Sequence, residues 1–328
     1  MLKTGIYQRD RLTLKAITGF FGRRKFIAIT LYPHVASSDL PERDRLLEHI
    51  LSRFPAANGT YKRTQSHRFD EFDAHVIRLL RECLEPNTQY KVHDMAVSDG
   101  RTAVDFFQKI DTIDHLQFEF LATDAFTNLT AISAPPNALT IVIDSKSQKL
   151  LQIIRPPFVF NLEKHESTLL YLFNRLVREV LLLTGVRTLF ARFKAQAPEV
   201  VTTPIRMLSP ECLQLLEKEP RFHFDQYSIL EPSTGAFHLV RAMNVLNHNY
   251  FSQKDLYLAA ANIHASLLPG GLFVTGSNND AGSTVNGGVY ERTAIGFKLI
   301  WSSGSGSQVD EILANFRSKV IDQIGVVF

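Results

Sequence analysis

Three polar segments, each at the end of an expected strand, carry residue types that could bind a ligand. The first spans His93–Thr102, where small residues at 96, 98 and 100 lie between a strand and a helix. Small side chains let a backbone pass close to a ligand, and the start of a helix offers N–H groups without intrahelical partners. The segment lacks the G-x-G-x-x-G and Gly-Lys-Ser/Thr patterns of nucleotide loops. It therefore fits either a cofactor loop or a plain strand-to-helix turn.

The second segment ends at Asp124, and the third spans Arg241–Phe251. A carboxylate at a strand end can accept both hydroxyls of a ribose, although Asp also commonly caps the segment that follows it. The third segment places three Asn, a His and a Tyr directly after a buried strand, and ligands of open α/β sheets bind beyond the carboxyl ends of strands. His248 is either a general base or a surface histidine. Asn244, next to the strand end, is the stronger candidate.

These segments belong to an alternation of strands and helices. A strand, a small-residue turn, a helix and a second strand are expected over residues 90–124. This order forms a βαβ unit, and such units build parallel sheets. The alternation of strands and helices resumes near residue 208. It includes a long helix that ends at Pro269-Gly270-Gly271, followed by a further strand. The sequence therefore predicts an α/β protein with a parallel sheet.

Residues 1–85 are expected to form an accessory helical region, because amphipathic patterns cover Arg9–Phe26, Arg43–Phe54 and Phe69–Cys83. Such a region is an extra layer on a core, a lid over a site, or both. The expected ligand-binding domain is then 86–328.

Residues 130–205 interrupt that domain. The stretch is too long for an ordinary strand–helix–strand connection. Two strands around Ser145-Lys146-Ser147-Gln148 predict a hairpin, and Glu166–Leu183 predicts a long amphipathic helix. The sequence therefore predicts an inserted hairpin-plus-helix segment.

Composition narrows the function classes. The chain has 328 residues, with 36 Lys and Arg against 33 Asp and Glu, so its net charge of +3 gives no reason to expect a nucleic-acid partner. No apolar run approaches the roughly 20 residues of a membrane-spanning helix, so no membrane partner is expected. Two cysteines, Cys83 and Cys212, cannot form a disulfide framework or a four-ligand zinc site, and no metal is expected. A cytoplasmic location is expected, since no secretory signal is visible.

Together the segments resemble the class I S-adenosylmethionine-dependent methyltransferases. The first motif of that family reads acid-x-G-x-G-x-G, and Asp94, Ala96, Ser98 and Gly100 stand at those positions. Two of the three glycines are thus replaced by other small residues. The Ala-Thr-Asp that ends at Asp124 matches the ribose-binding acid of the family.

The later motifs match less evenly. Ser228 stands where the family often has an acid near the adenine, and Asp225 or Gln226 are the alternatives for that contact. The Asn244-Val-Leu segment and the Leu268-Pro-Gly-Gly-Leu turn match closely. The resemblance covers about residues 90–130 and 205–280. The pattern is nearest to the chemotaxis-receptor methyltransferases, although their cysteine- and glutamate-containing first motif is absent.

The resemblance implies a doubly wound, mostly parallel, Rossmann-like sheet, to which the pattern of residues 1–85 adds an N-terminal helical lid. It implies S-adenosylmethionine as cofactor, with Asp94, Ala96, Ser98, Gly100, Asp124, Ser228 and Asn244 at the cofactor, and it leaves the acceptor open. The first function hypothesis is in-line methyl transfer to a small-molecule acceptor. The expected catalytic residues are Asn244, Asn247, His248 and Tyr171. The expected polar lining of the acceptor pocket comprises Tyr7, Tyr171, Asn174, Asn247, His248 and Tyr250.

Two other functions stay open. A cyclase similar to azetidine-2-carboxylate synthases would consume S-adenosylmethionine alone and release methylthioadenosine. Its dry pocket needs aromatic support for the sulfonium, and the chain has 24 Phe, which a core explains equally well. A non-catalytic module that only binds S-adenosylmethionine is the third reading, motivated by the replaced glycines. The oligomeric state is left open.

Overall fold

A computed structural model describes residues 4–18, 25–55, 64–83, 88–135, 138–162, 172–233, 235–279 and 283–318. Its helices are, in chain order, α1 (Leu14–Thr18), α2 (Tyr32–Ala36), α3 (Arg43–Leu51), α4 (Asp70–Cys83), α5 (Arg101–Ile110), α6 (Leu172–Leu181), α7 (Arg187–Lys194), α8 (Pro210–Lys218), α9 (Gln253–Ser266) and α10 (Asp310–Asn315). In these ranges no helix has the length and apolar character needed to cross a bilayer.

The strands are β1 (Gln89–Met95), β2 (Gln117–Asp124), β3 (Asn128–Ser133), β4 (Thr140–Asp144), β5 (Leu150–Arg155), β6 (Phe158–Asn161), β7 (Val201–Arg206), β8 (Phe222–Gln226), β9 (Phe237–Met243), β10 (Leu267–Ser277), β11 (Asn286–Arg292) and β12 (Phe297–Ser303). The chain divides into two compact units. The first unit comprises residues 1–63 and 126–210, and the second comprises 64–125 and 211–328.

The second unit contains a sheet of strand order β12-β11-β10-β9-β1-β2-β8. The strands from β8 to β10 pair in parallel, whereas β11 and β12 pair antiparallel. The chain runs outward from β1 to β2 and β8, and then returns to β9 on the other side of β1. The strand order therefore reverses between β1 and β9. In open α/β sheets the ligand crevice lies at this switch point, beyond the carboxyl ends of the strands.

Helices cover both faces of this sheet. On one face, Phe107 of α5 meets Phe222 of β8 edge-on, with ring centres 5.5 Å apart. On the other face, Ile263 of α9 shares a buried cluster with Val240 of β9 and Phe273 of β10. Successive residues of a strand face opposite sides, so each strand supplies both cores. The expectation of a doubly wound, mostly parallel α/β sheet is confirmed.

The first unit contains an antiparallel sheet of order β6-β5-β4-β3-β7. The expected hairpin is present as β4 and β5. The prediction of a hairpin plus one helix was nevertheless wrong in extent, because β3, β6 and β7 complete the sheet. Strand β7 has mostly exposed side chains and includes Pro204, which hides it from a search for apolar alternation. The part of the expected helix Glu166–Leu183 that precedes Leu172 lies outside the described residues. From Leu182 the chain continues through a π-helical turn into α7.

The N-terminal residues pack on one face of that same sheet. Buried Gln152 accepts the Ile29 N–H at 2.9 Å, and its amide donates to the Ile27 carbonyl and to Asn161 at 2.9 and 2.7 Å. The apolar residues of α3 join the same core. The N-terminal residues and the insertion thus form one unit. Helix α4, which was grouped with residues 1–85, belongs to the second unit, so the compact units divide at 63/64 rather than at 85/86.

Candidate functional site at the β1–β9 switch point

In the loop after β1, every second residue has a left-handed backbone conformation. Ala96, Ser98 and Gly100 have φ values of 58°, 61° and 87°. The left-handed region costs a non-glycine residue about 1–2 kcal/mol, and such conformations persist only where the surrounding structure imposes them. The three residues stand at the glycine positions of the methyltransferase motif. The loop therefore keeps a conformation that glycine favours, although alanine and serine occupy two of its positions.

Hydrogen bonds hold this loop against the end of β2. The Val97 N–H donates to the Thr123 carbonyl at 3.1 Å, and the Ser98 N–H donates to Asp124 Oδ2 at 2.8 Å. The structure thus brings Ser98 and Asp124 together. The Asp124 carboxylate thus anchors the loop. A ribose contact by Asp124 stays a prediction.

Helix α5 begins directly after the loop. Gly100 is its N-cap residue and supplies no side-chain cap, and its first turn carries no acidic residue. The Arg101 N–H is 3.3 Å from Asp99 Oδ1. A helix start of this kind carries partial positive charge and suits an anionic group. Residues 96–101, called the cradle below, thus combine a left-handed backbone with the start of a helix.

Gly100 is required by two separate constraints. Its φ of 87° lies in the region that side chains rarely adopt, and a Cβ atom there would lie 2.5 Å from Cys212 Sγ. Cys212 is fully buried in α8, and burial raises the pKa of its thiol to about 12, so it packs there as an uncharged side chain. A side chain at the last glycine position of the motif would therefore clash with α8 and also strain the backbone.

Gly100→Ala is expected to lower the free energy of unfolding by about 2–4 kcal/mol, because overpacking adds to the left-handed backbone cost. Gly270→Ala is the matched control. Gly270 also has a positive φ, of 77°, but nothing lies within 4 Å of its added Cβ. Urea denaturation of both variants separates the two costs. Equal losses in the two variants would show that the Cys212 contact contributes nothing.

Asn244 lies at the end of β9, the strand that pairs with β1 across the switch point. It follows β9 with a φ of 56°, and its N–H donates to the Gly276 carbonyl at 2.8 Å. Its Oδ1 accepts the Asn278 N–H at 2.8 Å, so its side chain is tied to the end of β10. Asn244 is half-buried at the switch point, and its role at a ligand stays a prediction.

Sequence reasoning missed two residues in this network. Arg68, ahead of α4, donates from Nε to Asn278 Oδ1 and from Nη2 to the Asn278 carbonyl, both at 2.7 Å. Asn278 in turn donates to the Arg68 carbonyl at 3.1 Å. Asn278 could have been found by the strand-end rule that singles out Asn244. Nothing in the local sequence marks Arg68.

The other candidate residues differ in burial and in their hydrogen bonds. Asn247 is buried, and its side chain accepts the Asn249 N–H at 3.0 Å within its own turn, whereas His248 is exposed. Ser228 Oγ accepts the Leu230 N–H at 3.3 Å, again within a turn. The structure therefore shows turn-building roles for Asn247 and Ser228, and their ligand contacts stay predictions.

The other expected acceptor-pocket residues, four in number, fall into three groups. Tyr171 lies outside the described residues. Tyr7 and Asn174 belong to the first unit, where Tyr7 lines a cavity of about 390 Å³ with Asp10, Arg11 and Lys25. Tyr250 follows β9 and is largely exposed. Across the described ranges no group of three or more His, Cys, Asp or Glu side chains is arranged to hold a metal ion.

Asp94 is buried beneath the loop instead of lining the crevice. Its Oδ2 accepts a hydrogen bond from Arg241 Nη1 at 2.8 Å, and Arg241 also donates to both carboxylate oxygens of Asp73 at 3.3 and 3.1 Å. Burial, opposed by the Arg241 charge, raises the pKa of Asp94 to about 7. The structure thus places Asp94 in an internal ion-pair cluster, and its expected cofactor contact stays a prediction. Its neighbour His93 is buried too, which lowers the pKa of the imidazole to about 3 and keeps it neutral.

Asp94→Asn is expected to flatten the dependence of stability on pH. The folded protein holds a proton on Asp94 up to about pH 7, whereas the unfolded chain loses it near about pH 3.9. This contribution is therefore complete at acid pH and is lost as the pH rises through about 7. Urea denaturation from about pH 5 to about pH 9 measures the slope. Parallel profiles for the wild type and the variant would contradict a proton on Asp94.

The chain is similar to several solved methyltransferase structures. The citrinin polyketide synthase CMeT domain is 12% identical with a TM-score of 0.33, and the match covers 72% of this chain and 39% of that one. The N-methyltransferase NodS from Bradyrhizobium japonicum WM9, in complex with S-adenosyl-L-homocysteine, is 12% identical with a TM-score of 0.32, covering 76% and 71%. An S-adenosylmethionine-dependent methyltransferase from Clostridium acetobutylicum ATCC 824 is 10% identical with a TM-score of 0.33, covering 68% and 61%.

No protein-family profile matches the chain, and no curated protein is similar to it in sequence. Similarities as low as those to the solved structures establish neither a family nor a reaction. Functional assignment therefore depends on the residues of the switch point.

Proposed function

We propose that the chain is an S-adenosylmethionine-dependent methyltransferase that acts on a small molecule. One observation carries the proposal. The residues at the three glycine positions of the methyltransferase motif are left-handed, and they form a strand–turn–helix loop at the switch point of a parallel sheet. This loop can bring its backbone close to a ligand at the place where α/β sheets bind one.

The residues around the loop fit the parts of this cofactor. The cradle formed by residues 96–101 suits its carboxylate, since the N-terminus of α5 favours anions. Asp124, at the end of β2, suits the ribose hydroxyls. Gln226, at the end of β8, or Ser228 suits the adenine. Asn244 completes the opposite side of the crevice, at the end of β9.

S-adenosylmethionine supplies an electrophilic methyl group when bound. The protein then needs chiefly to align the acceptor with that group and to exclude water. A general base is required only when the acceptor is protonated, and His248 is the proposed base because it is exposed beside the β9 end. Acceptor contacts by Asn247 and Tyr171, and a lid formed by residues 1–85, stay predictions.

The reaction is tested by incubating the purified protein with S-adenosylmethionine, alone and with a panel of small amines and alcohols, and measuring products by mass spectrometry. The proposal predicts intact S-adenosylmethionine without an acceptor, and enzyme-dependent S-adenosylhomocysteine with at least one panel member. Methylthioadenosine formed without an acceptor would overturn methyl transfer in favour of cyclisation. Binding without turnover on any acceptor would favour a non-catalytic module.

Asp124→Ala is expected to weaken S-adenosylmethionine binding by at least about tenfold, because it removes a charged hydrogen-bonding partner and the anchor of the Ser98 N–H. Glu119→Ala is the matched control, since Glu119 is a half-exposed carboxylate on the same strand but five residues nearer its start. Isothermal titration calorimetry measures both affinities. An equal affinity for Asp124→Ala and the wild type would remove Asp124 from the site.

A further inference from the structure

We infer that Arg241 and Asp73 are positioning residues that keep one proton on Asp94, and that this proton leaves when a positively charged ligand binds at the loop. The second half of this inference rests on the proposed function. The first half concerns the unliganded protein and can be tested without any ligand.

The cluster joins three elements of the second unit. Arg241 lies on β9, Asp94 lies beside it on β1, and Asp73 lies on α4. All three side chains are at most 1% exposed. The guanidinium carbon of Arg241 lies 5.2 Å from the Phe69 ring centre and 4.6 Å from that of Phe106, so aromatic rings flank the charge. The cluster is therefore dry, and its charges are poorly screened.

The charges of the cluster do not balance. Arginine stays protonated in proteins, so one positive charge faces two carboxylates. The nearest further groups lie on α4 and α5. Lys109 forms an ion pair with Asp70, and Asp105 adds a third carboxylate. The Lys109 charge favours the ionised form of Asp73, whereas Arg241 is the cation that acts on Asp94, opposed there by the Asp73 charge. An unbalanced buried carboxylate takes up a proton rather than staying ionised.

Geometry selects the carboxylate that takes the proton. Both oxygens of Asp73 accept hydrogen bonds from Arg241. Asp94 accepts one bond through Oδ2, and its buried Oδ1 has no hydrogen-bond partner in the part of the chain that the structure describes. Burial raises the pKa of both acids, with Asp94 at about 7. Oδ1 of Asp94 is thus the site of the proton.

The position of Asp94 links this proton to the crevice. Asp94 lies two residues before Ala96, the first left-handed residue of the loop. A cation bound at the loop favours the ionised carboxylate, which drives the proton into solvent. S-adenosylmethionine carries a positive sulfonium that S-adenosylhomocysteine lacks. Proton release should therefore be larger with the first ligand than with the second.

The unliganded half is tested by NMR titration of protein labelled with ¹³C at the aspartate carboxyl carbons. The wild type should show one carboxyl that titrates near pH 7, absent from Asp94→Asn and retained in the control Asp105→Asn. Arg241→Lys keeps the charge and should keep the titration, with at most a midpoint shifted by the altered geometry. Absence of the signal in the wild type, or its persistence in Asp94→Asn, would overturn the proton.

The liganded half is tested by calorimetry at pH 7 in two buffers of different ionisation enthalpy. S-adenosylmethionine should release about half a proton, since a group with a pKa of about 7 is half protonated there. S-adenosylhomocysteine should release less, and Asp94→Asn should bind without release. A merely structural role of the cluster would change stability and leave the proton count unaltered. Binding by the wild type without proton release would overturn the linkage. Absence of binding would overturn both the linkage and the proposed function. In that case the NMR titration still decides whether Asp94 holds a proton in the unliganded protein.

Discussion

Arg241→Met is expected to lower the free energy of unfolding of the second unit by about 3–5 kcal/mol, because it leaves the buried Asp73 carboxylate without its counter-charge and Asp94 without its hydrogen-bond donor. Asp73 and Asp94 each lose every hydrogen bond that the guanidinium donates to them. Urea denaturation followed by tryptophan fluorescence measures the loss. The single tryptophan, Trp301, stacks on His75 with ring centres 5.0 Å apart, so it reports on packing of the same unit.

Arg221→Met is the matched control for that experiment. Arg221 pairs with Glu219 and Asp111, but its side chain is 36% exposed. Exposed pairs contribute only about 0–1 kcal/mol, so this variant should unfold almost as the wild type does. Replacing Asp73, Asp94 and Arg241 together by apolar residues should recover much of the lost stability. Equal losses for Arg241→Met and Arg221→Met would mean that the buried cluster contributes no more to stability than an exposed ion pair does.

Ala96→Val is expected to weaken S-adenosylmethionine binding by roughly a hundredfold, because a β-branched side chain is a strong outlier at positive φ and should force the loop out of its conformation. Ala96 has a φ of 58° at the first glycine position of the motif. Ala96→Gly should bind at least as tightly as the wild type, since glycine adopts this region at no steric cost. Calorimetric titration measures the affinities.

Gln148→Val separates loop geometry from general damage. Gln148 has nearly the same φ, 56°, in the turn between β4 and β5 of the first unit. The substitution carries a similar backbone penalty away from the loop, so S-adenosylmethionine affinity should stay unchanged. If Ala96→Val and Gln148→Val lowered the affinity equally, the left-handed loop would not be the binding element.

The parallel sheet was accessible from the sequence because its signals are local. Strands β2 and β9 read as short apolar runs, and small residues mark the turn after β1. The left-handed conformation of Ala96 and Ser98 was not accessible, since neither residue type favours it. Only their places in the motif pointed to a glycine-like loop.

The charge cluster was missed because its partners are far apart in the chain. Arg241 and Asp94 are 147 positions apart, and Arg241 and Asp73 are 168 apart. Arg241 begins the third polar segment, for which the sequence predicts ligand contact, whereas the structure buries it completely. Asp94 was assigned to the cofactor from its motif position alone. Contacts among β1, β9 and α4 determine where both side chains lie, and no local sequence pattern encodes those contacts.

The most direct test of the account is equilibrium dialysis of the purified protein against labelled S-adenosylmethionine, with Ala96→Val and Asp124→Ala in parallel. The account predicts saturable binding of one molecule per chain to the wild type, and strongly reduced binding to both variants. Absence of saturable binding to the wild type, or full binding to both variants, would contradict a cofactor site at the end of β1.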